Sequence, residues 1–483
     1  MRRIKLGPIP FRSRLKNQIT TSIAGPYVLR ILLLSLWVSQ VSNVFPTYHP
    51  LSTIFILRIN INKMGSMAPS LFSSLPEVAK DEVFSLMASY QTDPDPSKVN
   101  LGPGIYRCDE GKSWPLKVVS QVEKSLYELQ DLGRHDYLAI EGDPRFLRVA
   151  RDLVFSSAFD SAQELQQSTD SRIVSVQSIS GTGANHIGAR FLAENLRPRR
   201  VWLSDPTWAN HHAIWESVGV DVHTYPYYDK DRRALNFDAM MTTLEREARS
   251  EDVIVLHACA HNPTGIDPSR EQWVVIAELC QRKQLFPFFD SAYQGFASGS
   301  PTQDAWALCH FYNLQPRMEM CVAQSFSKNF GLYGQRAGAF HLVMNDPCPN
   351  AKDRVLSTLS QIIRSEYSVS PRYGSTIIRT ILEDPTLSKG WLADLAIISG
   401  RIKSMRIALY DELCRLHTPG SWVHVVDQVR HAKNINFVDE AFLTTRSDWH
   451  VLLYGPHSLR SGHTSGTISH LHAIFWTGFN HWV

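Results

Sequence analysis

Three short runs constrain the fold more than anything else in the 483 residues. They are Val253-Ile254-Val255-Leu256, Phe286-Pro287-Phe288-Phe289 and Met320-Cys321-Val322-Ala323. Each is apolar at every position, with no in–out alternation, and each is shorter than a typical buried helix. A strand of that kind has to be covered on both faces, the situation of a parallel sheet between two layers of helices. Helical patterns alternate with such runs from about Trp114 to the 390s. The chain therefore reads as α/β, with a mostly parallel sheet covered on both sides.

Each run also stops in polar chemistry. The first leads into His257-Ala258-Cys259-Ala260-His261-Asn262-Pro263-Thr264-Gly265, and the second into Asp290-Ser291-Ala292-Tyr293-Gln294-Gly295. The third leads into Ser325-Phe326-Ser327-Lys328-Asn329-Phe330-Gly331-Leu332-Tyr333-Gly334-Gln335-Arg336. Ligands of open α/β sheets collect at the carboxyl ends of strands. Lys328 has no acidic partner in its own stretch, whereas an ordinary surface lysine sits about one helical turn from Glu or Asp. Partial desolvation favours the neutral amine, and a neutral amine attacks an aldehyde to form a Schiff base. Ser325, Ser327 and Arg336 suit a phosphate close to that aldehyde. A lysine snorkelling at the mouth of a loop fits this stretch equally well. The other two motifs separate the readings. Pyridoxal phosphate chemistry needs a lysine and a carboxylate on the pyridine nitrogen, and it benefits from hydrogen bonds to the ring's phenolic oxygen. Lys328, Asp290, Tyr293 and Asn262 are those residue types, each just after a predicted strand.

Together these motifs resemble the aspartate aminotransferase family of fold-type I pyridoxal phosphate enzymes. The likeness covers 67–428, and several further stretches carry it. Ser178-Ile179-Ser180-Gly181-Thr182-Gly183-Ala184 precedes a helical pattern, and backbone N–H groups at a helix start form an anion site. Asp205-Pro206-Thr207-Trp208-Ala209-Asn210-His211 offers Trp208 to stack on a flat ring. Read locally, Trp208 is a core residue and Gly181-Thr182-Gly183 a turn.

The resemblance implies a pyridoxal-phosphate-binding large domain over 115–395 and a smaller α/β domain from both chain ends, 67–114 and 396–428. It implies transfer of an amino group between L-aspartate and 2-oxoglutarate in a homodimer with shared active sites. Lys328 would hold the cofactor's aldehyde, remove the Cα proton and return it at C4′. Asp290, supported by His211, would keep the pyridine nitrogen protonated, while Asn262 and Tyr293 tune the phenolate. Ser180, Gly181, Thr182, Ser325, Arg336 and Tyr137 of the partner subunit would hold the phosphate. Substrate would meet Gly104, in the closing loop Val99-Asn100-Leu101-Gly102-Pro103-Gly104, together with Trp208 and Asn262. Arg364, after a helix over 353–363, would enter the neighbouring site and grip the distal carboxylate. Locally, Arg364 is a solvated helix-end charge and Tyr137 an ordinary core or surface tyrosine. A helix is expected over 396–417, and Trp422-Val423-His424-Val425-Val426-Asp427-Gln428 resembles a small-domain strand.

Composition narrows the rest. Residues 1–63 hold nine Lys or Arg and no acid, leaving 40 basic against 46 acidic residues beyond them. That balance does not suggest a nucleic-acid binder. The seven cysteines include no Cys-x-x-Cys pair and no zinc-type spacing, so no metal is expected and the compartment is read as reducing. The apolar run near Leu33 falls well short of the ~20 residues that span a bilayer. Residues 1–66 are read as an unstructured or mis-started extension of a cytoplasmic protein, the alternative being a mitochondrial presequence. Residues 429–483 depart from the family, with seven histidines and no acid after Asp448. Arg460 is the nearest positional candidate there for the family's α-carboxylate arginine, and the departure implies a weakly active chain. Three rival functions remain: an aromatic or kynurenine-type aminotransferase, which Arg364 argues against; a fold-type I lyase or decarboxylase; and a catalytically impaired cofactor-binding subunit.

Overall fold

The computed structural model describes residues 70–77, 82–95, 98, 104–108, 111–129, 135–345 and 349–427. The extension 1–66, most of the closing loop and the tail with Arg460 lie outside those residues. The chain divides into two compact units, Met1–Ala79 and Lys80–Val483. In the first, residues 70–77 make a turn in which Ser73 N–H donates to Ser70 O at 3.0 Å. The second unit holds everything that follows.

Its strands are β1 (Ile173–Ile179), β2 (Arg200–Asp205), β3 (Asp221–Pro226), β4 (Tyr228–Asp229), β5 (Ala234–Leu235), β6 (Val253–His257), β7 (Phe286–Ser291), β8 (Met320–Ser325) and β9 (Ala337–Val343). Seven form one sheet in the order β1-β9-β8-β7-β6-β2-β3, with β4 and β5 pairing separately. The run from β8 to β3 is parallel throughout, and only β9 lies antiparallel to its two neighbours. The expected mostly parallel α/β sheet is the one observed.

Its apolar strands divide their side chains between two cores. Ile254, Leu256, Phe289, Met320 and Val322 face a core shared with helices Phe237–Glu247, Arg270–Lys283 and Trp306–Asn313. Val253, Val255, Phe288, Cys321 and Ala323 face the other, under helices Ser180–Asn195 and Pro349–Glu366. That is why no position in these runs is polar: successive residues point to opposite faces, and both faces are dry. Helix Ser180–Asn195 seats on the sheet at Gly188, where an added Cβ would stand 2.5 Å from the Phe340 ring and 2.6 Å from the Phe288 ring.

Three boundaries differ from expectation. The 353–363 helix is longer at both ends, Pro349–Glu366, with Arg364 at the helix end as expected, in the last turn. The 396–417 helix is the carboxyl-terminal part of one 31-residue helix, Pro385–Arg415, which the expected 395/396 domain boundary cuts. The expected strand at 422–428 is not one: His424–Asp427 is a single helical turn. Val423, Val425 and Val426 have strand propensity, but among the described residues no sheet edge accepts them. Trp422 and Val425 instead pack with Leu413 against the end of the long helix, and packing overrides propensity.

Candidate active site

Strand register gathers the polar groups. His257 of β6 lies directly across from Asp290 of β7, and Ser291 of β7 across from Gln324 of β8. The three motifs therefore leave the sheet at one edge, side by side.

Asp290 is 6 % exposed. Its Oδ2 lies 3.1 Å from His211 Nε2, and His211 Nδ1 lies 2.9 Å from Thr207 Oγ1. Thr207 Oγ1 is also 3.2 Å from His257 Nε2, and the Asn262 backbone N–H donates to His257 Nδ1 at 3.3 Å. A backbone N–H can only donate, so it sets the direction of the whole series. His257 Nδ1 accepts, and its proton therefore lies on Nε2 and is donated to Thr207. The threonine hydroxyl then donates to His211 Nδ1, and His211 Nε2–H donates to Asp290. Burial together with the neighbouring histidine charges holds His257 well below the ordinary histidine range, so its neutral form agrees with this direction. Burial raises the Asp290 carboxyl, but the hydrogen bond from His211, with the Lys328 amine nearby, outweighs it and leaves Asp290 below the usual range. The result is a buried anion with one oxygen occupied.

Among the described residues its other oxygen, Oδ1, is buried with no hydrogen-bond partner, and so is the Tyr293 hydroxyl. Buried polar atoms left in that condition are uncommon and costly. A protonated pyridine nitrogen and a phenolic oxygen are the groups that would satisfy them. Lys328, half-buried in the turn after β8, carries its Nζ 4.7 Å from the centre of the Tyr293 ring. Trp208 stands beside them with its ring edge-on to His211, 5.3 Å between centroids.

The phosphate candidates converge independently. Helix Ser180–Asn195 starts at Ser180, so Gly181 and Thr182 belong to its first turn rather than to a preceding loop. Ser180 Oγ is 3.1 Å from Ser325 Oγ and 2.7 Å from Ser327 Oγ, while Arg336 Nη1 donates to Ser327 Oγ at 3.5 Å. Three hydroxyls, a guanidinium and the positive end of a helix thus meet at one corner. Two glycines permit it: a Cβ at Gly181 would lie 2.9 Å from Ser325 Cβ, and one at Gly338 would lie 2.5 Å from the Ser180 carbonyl carbon. The residues present fit pyridoxal phosphate at its ring nitrogen, its phenolic oxygen and its phosphate.

Tyr137, Arg364 and Gly104 are not drawn into this cluster by any described contact. Tyr137 is 87 % exposed, and Arg364 is exposed with its guanidinium donating to Ser368 Oγ. Gly104 begins the described part of its loop, where the Tyr106 N–H donates to the Tyr333 hydroxyl at 3.0 Å. Thr207 and His257 belong to motifs recognised in the sequence, yet neither was assigned a role there. The available signal was that His257 and Asp290 each close an adjacent apolar strand, which places them in register. Among the described residues, no group of three or more His, Cys, Asp or Glu is placed to hold a metal ion, and no helix is long and apolar enough to cross a membrane.

The buried histidines give the folded protein a definite pH response. His257 and His261 are held well below the ordinary value, chiefly by burial, and His341 is pushed down to about 3. Below the unfolded histidine pKa of about 6.5, the unfolded chain binds protons that the folded chain refuses, so stability falls with pH. Asp304, raised by burial to about 6, and His186, raised by its Glu366 hydrogen bond, take up protons on folding and partly offset this. Urea unfolding should therefore show a loss of about 2 kcal/mol per pH unit between pH 6.5 and 5.5. A flat profile would mean that these histidines are not neutral in the fold.

A sheet edge carrying a buried anion, an adjacent lysine and a phosphate corner belongs to a cofactor-dependent α/β enzyme. Residues 96–445 match the family described as aminotransferase class I and II, a span that continues past Gln428. Over 385 residues the chain is 48 % identical to an L-tyrosine:2-oxoglutarate aminotransferase of Aspergillus ustus, covering 80 % of this chain and 73 % of that one. It is 41 % identical over 365 residues to the cytoplasmic aspartate aminotransferase of Saccharomyces cerevisiae, covering 75 % and 85 %. In structure it is similar to the Saccharomyces cerevisiae cytoplasmic aspartate aminotransferase, with TM-score 0.74 and 36 % identity, covering 86 % of this chain and 99 % of that one. It is also similar to a broad specificity aminotransferase from Leishmania mexicana, with TM-score 0.68 and 39 % identity over 74 % and 85 %. The chain belongs to the class I and II aminotransferases, and its cofactor is pyridoxal phosphate.

Proposed function

We propose that this aminotransferase exchanges an amino group between L-aspartate and 2-oxoglutarate, and that the buried Asp290–His211–Thr207–His257 series with its single open carboxylate oxygen is the core of the site. When bound, the cofactor supplies an electron sink for the carbanion left at the substrate Cα. The protein does the rest. Asp290 keeps a proton on the pyridine nitrogen, and the relay from Asn262 keeps Asp290 anionic. The Tyr293 hydroxyl donates to the phenolic oxygen, and Trp208 covers one face of the ring. Ser180, Gly181, Thr182, Ser325 and Arg336 hold the phosphate. Lys328 would hold the cofactor through its amine and, once displaced by the substrate's amino group, would carry a proton on Nζ between the substrate Cα and the cofactor's C4′.

Two site residues are assigned across a homodimer. Tyr137 and Arg364 are polar, exposed and uninvolved in this subunit's cluster, which suits residues that complete a neighbour's site. Tyr137 would then reach the partner's phosphate and Arg364 the substrate's distal carboxylate, while Gly104 lies in the loop that closes over substrate. The small domain is proposed over 67–114 and 396–428, and the large over 115–395. A cytoplasmic location is proposed, supported by the two yeast relatives named as cytoplasmic enzymes.

A second reading has its own support. The Aspergillus relative named for tyrosine and 2-oxoglutarate is 48 % identical. Both readings share 2-oxoglutarate as the dicarboxylate acceptor and differ only in the donor. Steady-state kcat/KM for L-aspartate and L-tyrosine against 2-oxoglutarate separates them: aspartate should be preferred by about tenfold or more if the Arg364 grip governs donor choice. A preference for tyrosine would overturn the aspartate assignment and leave the aminotransferase chemistry standing.

A further inference from the structure

A series of buried polar side chains links β1, β9 and β8 to the loop after β7. Ser175 Oγ lies 2.8 Å from His341 Nδ1, and His341 Nε2 lies 3.1 Å from Gln324 Oε1. Gln324 Nε2 donates to Gln294 Oε1 at 3.5 Å, and Gln294 Nε2 donates to the carbonyls of Leu153 at 2.7 Å and Pro301 at 3.2 Å. His341, Gln324 and Gln294 are at most 1 % exposed. Burying so many polar groups is costly unless each is satisfied, and a satisfied network holds one geometry rather than many.

The series ends at two residues that flank the reactive groups. Gln294 follows Tyr293, and Asn329 follows Lys328. The Asn329 side-chain amide, fully buried, donates to the Gln294 backbone carbonyl at 3.0 Å. The Asn329 carbonyl in turn accepts from Trp391 Nε1 at 2.7 Å, and the Trp391 ring stacks on Phe330 at 4.7 Å. On the far side of Gln294, Asp304 accepts from the backbone N–H groups of Gly295, Ala297 and Ser298. One amide hydrogen bond therefore ties the loop after β8 to the loop after β7, and both loops are anchored to rigid elements behind it.

We propose that Asn329 is the positioning residue that sets Lys328 against Tyr293, by cross-linking their two loops through the Gln294 carbonyl. Without that bond the lysine loop keeps its contacts to Trp391, Ser180 and Arg336 but loses its tie to the Tyr293 loop. The amine then swings away from the Tyr293 ring toward water, and hydration favours its protonated form. The proposal rests on Lys328 being the residue that carries the cofactor. That premise is checked in the same preparations by fixing the cofactor with borohydride and mapping the labelled peptide.

The test uses the full-length holoenzyme and follows the visible absorbance of bound cofactor as a function of pH. Asn329→Ala should move the absorbance midpoint upward by about half a unit or more, and should lower kcat by about tenfold with a smaller change in KM. Trp391→Phe keeps the ring on Phe330 but removes the donor to Asn329 O. It should shift the midpoint in the same direction by less, and it keeps the test open if Asn329→Ala fails to fold. Ser175→Ala, at the far end of the series, should lower the thermal midpoint without moving the absorbance midpoint. Absorbance midpoints unchanged in both Asn329→Ala and Trp391→Phe, with only thermal stability lost, would reduce Asn329 to a buried structural amide. A label on a lysine other than Lys328 would instead remove the premise, and the two failures are distinct.

Discussion

Lys328→Ala should abolish transamination, lowering kcat by about 10⁴-fold or more, because one side chain supplies both the amine for the aldehyde and the proton carrier. The variant should still bind pyridoxal phosphate through the Ser180, Ser325, Ser327 and Arg336 corner, whose contacts do not involve the lysine. Retained cofactor, releasable by dialysis and not fixed by borohydride, is thus part of the expected result. The wild-type protein should be yellow, and borohydride followed by peptide mapping should place the cofactor on Lys328. Near-normal turnover in Lys328→Ala would show that another amine carries the reaction. The aromatic face of Tyr293 at 4.7 Å and the charge of Asp290 leave Lys328 the natural occupant of that position.

Arg364→Ala should cost two to three powers of ten in kcat/KM for aspartate and glutamate. A substrate carboxylate left without its partner forfeits roughly 3–5 kcal/mol, and each 1.4 kcal/mol is a tenfold change in rate. Alanine, which has no distal carboxylate, should be affected little. In the described residues Arg364 is exposed and held only by the Ser368 hydroxyl, so its removal should leave the thermal midpoint nearly unchanged. If the residue serves a neighbouring subunit, a mixed dimer of Arg364→Ala and Lys328→Ala chains should regain activity that neither parent shows. Equal losses on alanine and aspartate would remove Arg364 from the substrate and open the way to the tyrosine reading.

The parts of this protein legible without a structure are those written in contiguous residues. Unbroken apolar runs at β6, β7 and β8 required burial on both faces, and the sheet supplies it. Lys328, Asp290, Tyr293 and Asn262 stood out because each follows such a strand within a few positions, where a parallel sheet delivers residues to one edge. Chain order alone therefore announced the class of chemistry. The strand expected at 422–428 failed for the opposite reason. Among the described residues its valines have no neighbouring strand to pair with, and a local pattern carries no information about that.

Relations between distant stretches were settled only by folding. The direction of the Asn262–His257–Thr207–His211–Asp290 series depends on one backbone N–H pointing at a ring nitrogen, and nothing in the order of those residues specifies it. The same holds for Ser180, which meets Ser325 and Ser327 across about 145 positions of chain, and for Asn329, whose bond to Gln294 joins two loops separated by two helices and strand β8. Sequence determined which residue types stand at the ends of which strands, because hydrophobic patterning is local and additive along the chain. Tertiary structure decided which atoms are satisfied and which, like Asp290 Oδ1 and the Tyr293 hydroxyl, are left waiting for a ligand, because a hydrogen bond depends on distance and direction in space rather than on separation in sequence.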